Sequence, residues 1–119
     1  MLSRKLLSLF LVALWGGGFS PSSLLAAEKA PSLYKDLCAS CHGPKGKGDG
    51  PAAAALNPKP KDFTNCKVMA AESDETLFKI INGGSQSVGR SAFMPSWGGS
   101  LNEQQIREMV SYIRSLCKK

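Results

Sequence analysis

Apolar residues recur at helical spacing in three stretches of the chain, separated by polar, glycine-rich or proline-broken segments. The last stretch is the best marked. Ile106, Met109, Val110, Ile113 and Cys117 run along one stripe, flanked by Tyr112 and Leu116. Asn102 is a good N-cap, Gln105 occupies the capping-box position, and Leu101 with Ile106 fits a hydrophobic staple. The middle stretch begins at Ser73, a second N-cap, with Asp74 and Glu75 favourable to the dipole of the first turn. Leu77, Phe78, Ile80 and Ile81 supply its apolar face, and Asn82-Gly83-Gly84 ends it. The first stretch is predicted to open at Ala30-Pro31-Ser32, with Pro31 in the first turn. Leu33, Tyr34, Leu37, Cys38 and Cys41 then share one side. A further short helix is expected over Ala52 to Leu56. No segment alternates as a strand would and none repeats. The expectation is an all-α fold of three to five helices with long loops.

The loops are distinctive. Gly43 to Pro51 is rich in glycine, yet no strand precedes it and no Gly-Lys-Ser/Thr opens a helix, so a phosphate loop is excluded. Its glycines are expected to let the backbone pass closely over a flat ligand. Asn57 to Phe63 is extended and broken by proline, and Phe63 would be costly to expose, so this segment is expected to wrap a pocket. Ser85 to Ser100 is long enough to be read as functional.

The N-terminus changes the picture of where the domain starts. Arg4 and Lys5 precede an apolar run, Leu6 to Trp15, and small residues reach Ala26-Ala27. Residues 1–27 therefore read as a secretory signal peptide cleaved after Ala27, and residues 28–119 as one domain. The competing reading is an uncleaved membrane anchor, although Gly16-Gly17-Gly18 interrupts the apolar run. Cleavage removes two positive charges from a formal net charge of +6. The modest remaining excess suits a basic docking face for acidic partners. No Lys/Arg cluster interleaves with aromatics, which argues against nucleic acid. In an exported chain the even pair Cys66 and Cys117 is expected to form a disulfide; two free thiols or intermolecular bridges are the alternatives.

Cys38-Ala39-Ser40-Cys41-His42 carries the chemistry. Two cysteines three apart on a helical turn reach the same porphyrin, and the histidine after them projects to its iron. The motif is short, and zinc or chance would also produce it. A thioredoxin-like reading fails, because strand–helix alternation is missing. His42 is the only histidine in the chain, so a second histidine ligand is excluded. Of the four methionines, Met1 lies in the leader, Met109 lies on an apolar stripe, and Met69 is expected to pack. Met94 sits in the long loop, with Pro95 favouring an extended backbone that aims its side chain inward. It is the expected sixth ligand, with an open site as the alternative. A ligating histidine also needs an acceptor for its second ring N–H. The Pro51 carbonyl is the candidate.

Residues from about Ser32 to Cys117 resemble a class I monohaem cytochrome c of the bacterial periplasm. Four segments carry the likeness: Tyr34 to Gly43, Gly46 to Pro51, Phe93 to Gly99 and Leu101 to Leu116. The resemblance implies a small cytochrome c fold wrapped around one covalent haem c, with His42 and Met94 on the iron. It implies that the first and last helices cross with Tyr34 and Tyr112 at the crossing. It places the Pro51 carbonyl on the His42 ring N–H, in agreement with the residue-level argument. Trp97 would either donate its ring N–H to a haem propionate or pack without that bond. The resemblance lends no support to the Cys66–Cys117 bridge.

A thioether is a soft ligand, and His/Met ligation raises the potential and fills both axial positions. The expected function is one-electron transfer between periplasmic redox partners, without catalysis and without membrane insertion after cleavage. The protein would be a monomeric carrier or, as the alternative, a haem c subunit of a larger respiratory dehydrogenase or oxidase. A peroxidase reading is disfavoured by the single histidine and by Met94, whereas a small-ligand sensor would need a labile sixth ligand and would show itself by ready carbon monoxide binding.

Overall fold

The structure, a computed structural model, describes residues 21–118. Its α-helices are α1 (Pro21–Leu37), α2 (Ala39–His42), α3 (Cys66–Ala70), α4 (Asp74–Gly83) and α5 (Glu103–Ser115). Short 3-10 turns span Ala53–Ala55 and Ser85–Val88. No strand occurs among the described residues, and no described helix is long and apolar enough to cross a membrane.

α5 forms where its caps and stripe place it. The Gln105 N–H donates to Asn102 Oδ1 and the Asn102 N–H to Gln105 Oε1, each at 2.9 Å. Leu101 and Ile106 are buried on either side of this cap. The inward face of α5 carries Ile106, Met109, Val110 and Ile113, all buried. α1 crosses it. Tyr34 meets Tyr112 edge to face at 5.3 Å, and its buried hydroxyl donates to the Gly43 carbonyl at 2.7 Å. Burial holds that hydroxyl well above its ordinary pKa, so it remains a neutral donor. α4 packs on α5 through Leu77 and Ile81, and the Arg107 guanidinium of α5 lies 4.5 Å over the Phe78 ring.

Two boundaries differ from expectation. Within the described residues α1 covers Pro21–Leu37 and runs through Pro31 instead of opening there. The alanines and leucines upstream favour helix, which offsets the N–H bond that Pro31 lacks and the crowding of its ring against the carbonyl one turn back. The expected cleavage point after Ala27 falls within α1, and residues 1–20 of the expected leader lie outside the described residues. In a chain starting at Glu28, Pro31 would fall in the first turn, where N–H groups have no helical partner.

The second difference is α3, which no apolar periodicity announces. Asn65 caps it, its Oδ1 accepting from the Lys67 and Val68 N–H groups at 3.1 and 3.3 Å. Cys66 at its start is joined to Cys117 just beyond α5, with Cα atoms 5.2 Å apart. Arg114 of α5 donates to the Met69 and Glu72 carbonyls and, at 2.7 Å, to Asp74 Oδ1. A short helix with little propensity of its own is thereby fastened to the longest-range wall of the core.

A candidate haem c pocket

Cys38, Cys41 and His42 share one turn. The chain departs from α1 at Cys38 yet keeps helical hydrogen bonds, with the Cys38 carbonyl accepting from Cys41 and His42 N–H groups at 3.2 and 2.9 Å. Both sulfurs are unpaired and half-buried, and they line a cavity of about 740 Å³. That volume falls within the range that accommodates a cofactor-sized ligand. Burial, reinforced by the neighbouring Cys41, pushes the Cys38 thiol up to about 11, so it keeps its proton at neutral pH.

His42 also lines the cavity. Its Nδ1–H donates to the Lys61 carbonyl at 3.2 Å, and Phe63 stacks on the ring at 4.3 Å and 16°. Burial lowers the imidazole pKa, partly opposed by the Lys61 carbonyl, so the ring is neutral at pH 7. With Nδ1 committed, Nε2 keeps its lone pair for a metal.

The expected acceptor, Pro51, does not hold this position. It is exposed and lies outside the cavity wall. The glycine loop, expected to cover the ligand, instead folds behind α2 and satisfies its final carbonyls. The Gly48 N–H donates to His42 O at 2.7 Å and the Gly50 N–H to Cys41 O at 3.0 Å. A Cβ at Gly50 would collide with the Ala39 and Ser40 carbonyls, which is why glycine stands there. The proline-rich segment that follows wraps the pocket. Its Lys59 and Lys61 line the cavity, whereas Lys45 and Lys47 of the glycine loop are exposed and do not.

Met94, half-buried, lines the same cavity from the loop that follows α4. Its loop is stitched to the C-terminus of α4. Trp97 and Gly98 N–H groups donate to the Ile81 and Asn82 carbonyls at 2.9 and 3.0 Å, and Ser96 Oγ donates to Asn82 O at 2.6 Å. The Ser85 N–H donates to the Met94 carbonyl at 3.1 Å. Gly84, at φ +78°, lets that approach happen; a Cβ there would lie 2.9 Å from the Met94 oxygen. Trp97 is half-buried on the cavity wall and packs against the core. Met69 is buried away from the cavity; Met109 is a core residue that contributes to its floor.

Two thiols, a neutral imidazole with one nitrogen committed, and a thioether thus line one largely apolar cavity. This donor set fits a covalently attached, axially ligated iron porphyrin. A family model described as cytochrome c oxidase, cbb3-type, subunit III matches residues 25–113. The chain belongs to this family of c-type cytochromes. A haem c with its iron, covalently bound, comes with that membership.

Relatives agree with the assignment. The cbb3-type cytochrome c oxidase subunit FixPc of Rhizobium leguminosarum bv. viciae is 26% identical over 102 residues, 86% of this chain and 32% of its own. The FixP subunit of Bradyrhizobium diazoefficiens is 34% identical over 91 residues, 76% of this chain and 27% of its own. The gluconate 2-dehydrogenase cytochrome c subunit of Pantoea cypripedii is 32% identical, covering 86% of this chain and 21% of its own. This chain therefore spans under a third of the length of these relatives. Among solved structures, the KustC0563 c-type cytochrome superposes with a TM-score of 0.61 at 22% identity, covering 75% of this chain and 98% of that one. It shares the fold.

Proposed function

We propose that this cytochrome carries single electrons through a haem c held by Cys38 and Cys41 and ligated by His42 and Met94. The observation that carries the reading is the convergence of His42 and Met94, from the two halves of the domain, on the cavity that the two cysteines line. When bound, the haem supplies an Fe(II)/Fe(III) couple. The chain's own part is to fix His42 by the Lys61 carbonyl and Phe63, to bring Met94 in on α4, and to surround the group with apolar walls that limit water. Trp97, on the cavity wall and packed against the core, would offer its indole N–H to a propionate of the bound haem. Lys59, on the cavity wall, adds positive charge where an acidic partner would dock.

We further propose export through the leader at residues 1–27 and a periplasmic site of action. The leader's charge and apolar pattern supports this, as does the Cys66–Cys117 disulfide, which is at home in an oxidising compartment. A second reading, a haem c subunit with a permanent partner, is favoured by the names of the relatives, several of which are oxidase or dehydrogenase subunits.

The test is Met94→Ala in the holoprotein. The native ferric protein should show a sulfur-to-iron charge-transfer band, and the native ferrous protein should refuse carbon monoxide. The variant should lose the band, bind carbon monoxide and titrate at a lower potential. A band that survives the substitution removes Met94 from the iron.

A further inference from the structure

Glu72 is the only buried charged side chain among the described residues, with 8% of its surface exposed. A carboxylate in such a place is costly unless it is paired and hydrogen-bonded. It is paired twice. Arg90 donates to both its oxygens, Nη1 to Oε1 at 2.7 Å and Nη2 to Oε2 at 3.2 Å, and Lys61 Nζ donates to Oε1. Buried ion pairs add little net stability compared with apolar packing, whereas removing one partner of such a pair leaves an uncompensated buried charge.

The two cations belong to two different parts of the pocket. Lys61 supplies the main-chain carbonyl that accepts from His42 Nδ1. Arg90 sits in the segment leading to Met94, and its N–H donates at 3.0 Å to the carbonyl of Ser85, whose own N–H holds the Met94 carbonyl. Glu72 itself lies in the short link between α3 and α4. Its backbone carbonyl accepts from Arg114 of α5, beside the Cys66–Cys117 bridge. The carboxylate is therefore a fixed point on the rigid side of the molecule from which both long loops hang.

We infer that Glu72 is a positioning residue for both axial ligands, holding the His42 acceptor through Lys61 and the Met94 loop through Arg90. The inference rests on the proposed His42/Met94 ligation. Neutral glutamine at this position would keep the shape but remove the charge, and would turn an N–H group toward cations that need an acceptor.

The experiment compares holoprotein variants by charge-transfer band, ferrous carbon monoxide binding and reduction potential. Glu72→Gln should weaken the band and raise the fraction of molecules open to carbon monoxide about tenfold, the order expected when a bidentate charge-assisted pair is lost. Arg90→Gln, a change at a half-exposed side chain, should do the same, and the double variant should be no worse than Glu72→Gln alone. Lys61→Met should shift the potential and leave the band in place. Val110→Ala, a core change away from the cavity, should lower thermal stability and spare the band. A native band and native exclusion of carbon monoxide in both Glu72→Gln and Arg90→Gln would overturn the inference. So would equal loss of the band in Val110→Ala, which would make the effect general destabilisation. If Glu72→Gln fails to hold haem, Arg90→Gln decides alone. Loss of the band in Met94→Ala but not in the Glu72 or Arg90 variants defeats only the positioning role; survival in Met94→Ala defeats the ligation beneath it.

Discussion

Lys61 shows how much of a pocket is built by atoms that leave no mark in a sequence. Its carbonyl orients His42 while its side chain reaches Glu72. Any residue type presents a carbonyl, so residue identities could not reveal this acceptor, and Pro51 was the reasonable candidate. Cys38, Cys41, His42 and Met94 stand out in the sequence as candidates because few residue types offer a thiol, an imidazole or a thioether, and the structure brings all four to one cavity. Glu72 does not stand out, since an acid in a polar link reads as solvated until the fold buries it. Its acid–base behaviour is testable. Hydrogen bonds from Arg90, then from Lys61, hold its carboxyl at about 2, against an ordinary value of 4.5. A carboxylate depressed on folding contributes stability above its unfolded pKa and loses it as pH falls through the folded one. The stability difference between the native protein and Glu72→Gln should therefore be full above about 4.5 and shrink toward about pH 2. Thermal unfolding across that range measures it. A difference that stays constant would mean the charge is not what matters.

At the level of elements, legibility followed local signals. α5 and α4 carry both a cap and an apolar stripe, and both form where those signals lie. Asn102→Ala should cost about 1 kcal/mol of unfolding free energy by denaturant titration, because the Gln105 N–H loses its side-chain acceptor. α3 was missed because five residues are too few to show a period, and its existence depends on contacts made from α5. The Met94 loop was recognisable by its Met-Pro pair. Its anchorage on the Ile81 and Asn82 carbonyls was not, since helix-end carbonyls accept whatever the topology brings to them.

For the whole molecule, the first half of the domain supplies the thiols and His42 to the cavity wall, and the second half supplies Met94. The all-α class followed from the absence of alternation, but the way the halves close on each other did not, because it depends on long-range pairing. The disulfide spans 51 residues and encloses the entire Met94 segment. On chain-entropy grounds its removal should cost about 4 kcal/mol. Replacing Cys66 and Cys117 together by Ala should move the urea midpoint accordingly, with a smaller effect if haem attachment already restrains the unfolded chain.

The two cysteine pairs also impose an order on how the molecule is made. Cys66 and Cys117 reach their native state by giving up electrons and protons to become S–S. Cys38 and Cys41, free in this fold, would join a haem only as S–H groups, since a thioether takes up both the sulfur and the hydrogen of a thiol across a vinyl double bond. A chain that oxidised indiscriminately could pair four cysteines in three ways, and any pairing that consumed Cys38 or Cys41 would be a dead end for the haem. Haem attachment would therefore need Cys38 and Cys41 kept as thiols while Cys66 and Cys117 are oxidised, with reductant called for only where a wrong pairing has to be undone. The fold keeps the finished products apart, one pair on the cavity wall and the other sealing the far ends of α3 and α5.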